Sequence, residues 1–156
     1  KLDDYKGMGT TLEADVVQKH QIISAHVGDS RTQVIKNGEL IRITRDHSLV
    51  QELVDAGEIT ADEAEKHPNK NIITRSLGQP TDIDVDTLTL EIDADDIIIM
   101  SSDGLTNMVP AEAIIETVDN DQDVTSQAQA LVSLANTNGG LDNITVILVK
   151  FDKGDL

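Results

Sequence analysis

Polar and apolar residues alternate through the first third of this chain. Leu12, Ala14 and Val16 fall on one face of an extended stretch at 10–20, and a second stretch at 21–27 ends on Gly28-Asp29. Residues 31–35 and 39–43 flank Lys36-Asn37-Gly38, and Asn-Gly between alternating runs predicts a two-residue hairpin. Together these runs predict an antiparallel meander.

At Ser48 the period lengthens. Ser48 and Gln51 have capping-box spacing, Leu49, Val50, Leu53 and Val54 follow at helical intervals, and Gly57 closes the helix. Thr60 and Glu63 repeat the device for a short second helix that stops before Pro68. Both helices carry many charges, so 48–67 reads as a solvent-facing insertion. Residues 72–77 return to the core and Gly78-Gln79-Pro80 turns the chain. Ile83, Val85, Leu88, Leu90 and Ile92 then alternate with Asp and Thr in the pattern of a half-buried strand.

An acidic turn at 93–96 leads into Ile97-Ile98-Ile99-Met100-Ser101-Ser102-Asp103-Gly104. The apolar half suits a strand buried on both faces. The polar half suits the rim where that strand emerges, and Gly104 permits a turn or the close approach of a ligand. Pro110 suits the first position of a helix through Ile114, Ile115 and Val118, and 119–123 is a loop. A helix over 125–138 has Ala128, Leu131, Val132, Leu134 and Ala135 on its apolar face and ends at Gly139-Gly140. The continuous apolar run at 144–151 predicts a central strand. Blocks of strands and helices without regular βαβ alternation predict an α+β fold, sheets packed together with helices outside, as one domain over 1–156.

Composition narrows the chemistry. Hydrophobic residues make up 38% and aromatic residues 1%, so the core is aliphatic. With no cysteine there is no disulfide, thiolate metal site or cysteine nucleophile, which suits a reducing compartment. The net charge of -17 repels nucleic acid and anionic membranes and tolerates divalent cations. No apolar run reaches membrane-spanning length and no signal peptide is visible, so the expected location is the cytoplasm.

Several motifs are excluded. There is no P-loop and no G-x-S-x-G elbow. Gly7-Met8-Gly9 opens like a dinucleotide loop, but Leu12 stands where the third glycine belongs. Asp119, Asp121 and Asp123 mimic an EF-hand start, yet Val124 replaces its glycine and Ala130 its closing glutamate. His20, His26, His47 and His67 lack zinc-type spacing and read as surface or structural residues.

What remains is a set of aspartates at the ends of apolar strands: Asp29, Asp103 and Asp142. Strand ends in a meander can meet at one rim, and converging carboxylates repel unless a cation sits between them. An oxygen-only donor set suits Mg²⁺, Mn²⁺ or Ca²⁺. The alternative is that each aspartate caps a turn with its own side chain.

Five strings come in one order: Gly9-Thr10-Thr11, Val27-Gly28-Asp29-Ser30-Arg31, Thr44-Arg45-Asp46-His47-Ser48, Ser102-Asp103-Gly104-Leu105 and Asp142-Asn143-Ile144-Thr145-Val146. In this the chain resembles the metal-dependent Ser/Thr protein phosphatases of the 2C (PPM) family in their compact bacterial form. The resemblance implies a sandwich of two antiparallel β-sheets flanked by helices. It implies two Mn²⁺ or Mg²⁺ ions on Asp103 and Asp142, a third, weaker site at Asp29, and a supporting role for Asn143 and Gly104 behind the ligands. The insertion at 48–67 matches a mobile flap beside the active site.

The implied activity is hydrolysis of phosphoserine and phosphothreonine in proteins by a metal-activated water, opposing a paired Ser/Thr kinase. The family's N-terminal strings lack a counterpart, since Lys6 precedes Gly7-Met8-Gly9 where the family carries aspartate. The resemblance therefore implies the C-terminal part of the domain, incomplete at its N-terminus. Such a piece is expected to be weakly active or inactive alone and able to self-associate through uncovered sheet edges. A non-catalytic regulatory or binding module of the same fold is the competing reading, disfavoured by the presence of Asp103 and Asp142. A calcium-binding β-sandwich of a secreted protein is a third, disfavoured by the broken EF-hand pattern.

Overall fold

The computed structural model describes residues 6–79, 82–119, 122–151 and 154. Strands β1 (Leu12–Gln18), β2 (Gln21–Val27) and β5 (Asp86–Glu91) form one sheet in the order β1-β2-β5. Strands β3 (Arg31–Lys36), β4 (Glu39–Arg42), β6 (Ile97–Ser101) and β7 (Val146–Lys150) form the other, in the order β4-β3-β6-β7. Every pairing is antiparallel. The helices are α1 (Leu49–Asp55), α2 (Ala61–Glu65), α3 (Asp103–Thr106), α4 (Ala111–Val118) and α5 (Val124–Thr137). None among the described residues is long and apolar enough to cross a membrane.

Three layers result. Ile22, Val34, Ile92, Ile98 and Phe151 form an apolar cluster joining the two sheets. On the far face of the second sheet, Ile35 and Ile99 pack with Leu105, Val109, Ile114, Val118, Leu131 and Ala135 of the α3–α5 layer. The second sheet is thus covered on both sides, which accounts for the unbroken apolar run of β6. The predicted hairpin is present, with Asn37 and Gly38 at φ 54° and 79° between the paired residues Lys36 and Glu39. Thr60 and Glu63 make a complete capping box at α2. Ser48 caps α1 with its hydroxyl, but the Gln51 side chain turns to Asp55 instead.

Three expectations are corrected. The run at 144–151 is an edge strand: among the described residues β7 pairs with β6 alone. Its continuous apolar character comes from lying between the helices and the first sheet, not from a central position. Residues 72–77 do not rejoin the core as a strand. Two isolated bridges, Thr10 to Leu77 and Ser48 to Ile73, tie this segment down through its backbone, and Ile72 and Ile73 stay exposed. The strand expected from Ile83 begins only at Asp86. The Pro110 helix and the 125–138 helix are α4 and α5, with Pro110 and Asp123 standing just outside them as N-caps. Pro80 of the expected turn, and residues 120 and 121 of the expected acidic loop, lie outside the described residues.

One alternation carries the opposite sense from its usual one. Leu12, Ala14 and Val16 of β1 face outward and are exposed, while Glu13 and Asp15 point between the sheets. Glu13 meets the fully buried His26, which stands opposite it on β2. The Thr32 hydroxyl on β3 lies 3.3 Å from both Glu13 Oε2 and Asp15 Oδ2. The interior of the sandwich is therefore polar around Glu13 and His26, toward the Gly28-Asp29 end of β2, and apolar around Ile22 at the other.

Candidate metal centre

Asp29 sits in the turn from β2 to β3, a turn that Gly28 makes possible at φ 119°. Asp103 is the first residue of α3, directly after β6 and its cap Ser102. The two carboxylates line one cavity of about 710 Å³, together with Arg31, Asp46, Ser48 and Asn107. Helices α1 and α2 contribute Val50, Val54, Ala61 and Ala64 to its wall.

Asp142 lies in the loop between α5 and β7, is exposed, and does not line this cavity. Its Oδ1 accepts the Asn143 N–H at 2.7 Å. Ser102 draws that loop toward Asp103. Its hydroxyl donates to the Asn143 carbonyl at 2.9 Å and accepts the Thr145 N–H at 3.1 Å, while its own N–H donates to the Thr145 carbonyl at 3.1 Å. The Asn143 main chain packs directly on Gly104. Asn143 thus meets its neighbours here through its main chain. The close approach that Gly104 permits is made by this loop.

The electrostatics are those of a site short of positive charge. Burial raises the Asp103 carboxyl pKa above 3.8, and the Asp142 charge raises it further. Burial likewise raises Asp29, followed by the charges of Asp103 and Asp46. The nearest cation is already engaged. Arg31 donates to Asp46 through Nε at 3.0 Å and Nη2 at 2.7 Å, a bidentate pair. Arg42 adds a second bridge to Asp46 at 2.6 Å. Burial opposes the Arg31 charge, but Asp46, Asp29 and Asp103 outweigh it and hold the guanidinium more firmly protonated.

The candidate donors fit a hard divalent cation: Asp29 and Asp103 bring carboxylate oxygens to one cavity, each destabilised by a neighbour's charge. The set is partial, for among the described residues no three His, Cys, Asp or Glu side chains stand close enough to hold a metal ion.

The model of the family described as Protein phosphatase 2C matches residues 4–53. Protein phosphatase PhpP of Streptococcus pneumoniae is 47% identical over 151 residues, which is 97% of this chain and 61% of that protein. The Streptococcus agalactiae serine/threonine phosphatase structure superposes at TM-score 0.93 with 47% identity, covering 97% of this chain and 63% of that one.

The chain belongs to the protein phosphatase 2C family.

It spans 61% of the length of PhpP. A structure of the catalytic domain of the phosphatase PstP, in complex with 2 manganese ions, superposes on this 2C-family chain at TM-score 0.83, with 37% identity, covering 94% of this chain and 60% of that one. The two antiparallel sheets with a helical layer are the architecture expected from the sequence.

Several residues that shape this candidate site carry no role legible in the sequence. Arg31, Asp46 and His47 sit inside the quoted strings, yet Arg31 meets Asp46 across 15 positions and His47 meets Gly28 and Arg75 across 19 and 28, beyond any local pattern. Ser102 works across 41 positions. The one usable signal was the Thr44–Ser48 string itself, a cluster of polar residues leading into a helix cap. His26 and His47 are buried and internally bonded, in keeping with their structural reading.

Proposed function

We propose that this chain forms part of the active site of a phosphatase that hydrolyses phosphoserine and phosphothreonine in proteins with divalent cations. One observation carries the reading. Asp29 and Asp103 share a cavity, and their carboxyl pKa values are raised by burial and by neighbouring carboxylates. Such a pair favours Mn²⁺ or Mg²⁺, which tolerate an incomplete protein ligand set because they retain water. Asp103 and Asp142 would hold the catalytic ions and Asp29 a third, weaker one. When bound, the ions supply an acidified water as nucleophile and offset charge on the phosphate.

The chain's own residues prepare that place. Ser102 and Gly104 keep the Asp142 loop against Asp103. Asp46 occupies Arg31 and Arg42, which leaves the Asp29 and Asp103 oxygens to a cation. The segment 48–67 borders the cavity and is assigned as the flap that meets the phosphoprotein. A paired Ser/Thr kinase would supply that substrate, and the cysteine-free composition suits the cytoplasm as the compartment.

Phosphate release from a phosphothreonine peptide tests the reading, measured on the natural protein that carries this sequence, with Mn²⁺ and with chelator. Turnover is expected only with the cation and is expected to vanish in Asp103→Ala. Undiminished turnover in that variant would overturn the assignment. The 156-residue chain alone is expected to turn over weakly or not at all, because its described residues assemble no three-carboxylate group.

A further inference from the structure

Asp29 projects from a turn, and turns do not hold a carboxylate in place unless something holds the turn. The residue before it, Gly28, is gripped twice by His47. The Gly28 N–H donates to His47 Nδ1 at 3.1 Å, and the His47 N–H donates to the Gly28 carbonyl at 2.7 Å. Gly28 is confined from the other side by Thr11, whose side chain would stand 2.3 Å from any added Cβ.

The same histidine joins two further pieces of chain. Its carbonyl accepts the Thr74 N–H at 2.8 Å. Its Nε2 lies 3.1 Å from Asp86 Oδ2 at the start of β5 and 3.2 Å from Arg75 Nη1, which donates to the other oxygen of Asp86 at 2.9 Å. Its neighbours in sequence are Asp46, which holds Arg31 and Arg42, and Ser48, which caps α1. The ring is 5% exposed, and the His26 ring stands 4.6 Å away.

These bonds determine where the ring proton is. An acceptor for an amide N–H has no proton of its own, so Nδ1 is bare and Nε2 carries the hydrogen toward Asp86 Oδ2; Arg75 Nη1, beside Nε2, directs its own hydrogen to Asp86 Oδ1. The arrangement is specific to a side chain with an acceptor at the Nδ1 position and a donor beyond it. A histidine that only filled space would not need its ring and its main chain to hold the same glycine.

We propose that His47 is a positioning residue for Asp29. By clamping Gly28 it aims the Asp29 carboxylate into the cavity shared with Asp103, and it couples that aim to the start of α1. This rests on the reading of Asp29 as part of a cation site.

The clamp is measured on the metal-free chain by amide exchange and by a long-range ¹H–¹⁵N spectrum of the histidine rings. The expected spectrum shows His47 Nδ1 unprotonated; a proton on Nδ1 would overturn the clamp. His47→Leu is expected to speed Gly28 exchange by roughly tenfold or more while the Ile22 and Ser24 amides of β2 keep their rates. His47→Asn retains an acceptor near the Nδ1 position and is expected to restore slow exchange at Gly28. His47→Gln carries its acceptor farther out and is expected not to restore it. The Asn and Gln pair decides the matter should the Leu variant fail to fold. Equal acceleration across β2, or equal behaviour of Asn and Gln, would show a merely structural histidine.

Mn²⁺ alone is then the probe for the cation site. It is expected to broaden the Asp29 and Asp103 amide signals in the wild type and in His47→Asn, and to spare Asp29 in His47→Gln at the same concentration. Absence of broadening in the wild type would sink the cation reading while the Gly28 exchange still reports on the clamp. Equal broadening of Asp29 in the Asn and Gln variants would sink the positioning role itself.

Discussion

A Cβ atom added to Gly104 would stand 2.3 Å from the carbonyl oxygen of Asn143. Gly104 is an ordinary helical residue of α3, so its conformation does not demand glycine; the neighbouring backbone does. Gly104→Ala is therefore expected to push the 142–143 loop away from Asp103, at a cost of about 1–3 kcal/mol typical of overpacking. Thermal unfolding measures the cost. A Thr145 amide that no longer exchanges slowly would locate it at the Ser102 clasp. An alanine variant with wild-type stability and wild-type Thr145 protection would contradict the packing.

The raised pKa values of Asp29 and Asp103 have a sign. A carboxyl whose folded pKa lies above its ordinary 3.8 disfavours the folded state while charged, and that cost fades as pH falls through the folded value. Asp29→Asn and Asp103→Asn are each expected to raise the melting temperature of the metal-free chain by roughly a few degrees at neutral pH. In acid, where the wild-type groups are protonated, the gain should disappear. Added Mn²⁺ should stabilise the wild type more than either variant. A melting temperature lowered by both substitutions at neutral pH would count against this account.

His26 and His47 respond to pH in opposite directions. Burial works to lower His26, but its bond to Glu13, the Glu13 charge and the Arg45 carbonyl outweigh it and raise it above 6.5. Its contribution to stability is complete below 6.5 and is lost as pH rises through the raised value. Burial lowers His47, assisted by the nearby charges of His26 and Arg75, so its contribution is present above 6.5 and is lost as pH falls through the lowered value. Glu13→Gln removes the partner that holds His26 up. The His26 ring titration, followed by NMR, is expected to move to lower pH in this variant; an unmoved titration would refute the pairing.

The capping box of α2 predicts a local effect. Thr60 accepts the Glu63 N–H at 3.3 Å, and the Glu63 carboxylate accepts the Thr60 N–H at 2.7 Å. Thr60→Ala is expected to cost about 1 kcal/mol, confined to this short helix. Amide exchange should quicken over 61–65 with little change in the β6 strand. Uniform acceleration through the molecule would mean that the helix opens only with the whole domain.

Local signals were legible in the sequence, and long-range ones were not. Asn37-Gly38 requires two left-handed residues, and Thr60 with Glu63 satisfies its own backbone donors, so each feature is complete within a few residues. The apolar run at 97–100 showed a strand covered twice, which β6 is. At β7 the same inference went too far, because covering both faces says nothing about which edges are paired. At Ile72 and Ile73 apolar character suggested burial, yet the segment is tied down through its backbone. The candidate aspartates stood out by lying at the ends of apolar strands. The grip of Arg31 on Asp46, of His47 on Gly28 and of Ser102 on Asn143 could not be seen, since each joins residues that only the finished fold brings together.

The inward Glu13 and Asp15 give β1 something hydrophobic contact could not. A slip of one residue in strand pairing exchanges a strand's two faces. For β1 the exchange would bring Leu12, Ala14 and Val16 inside, an arrangement attractive to a chain whose core is aliphatic. It would also strand His26 without its carboxylate and leave the Thr32 hydroxyl facing methyl groups. The buried Glu13–His26 pair thus works as a registration mark. It makes the greasier alignment the wrong one, and Asp29, a few residues beyond His26, inherits its place from that choice.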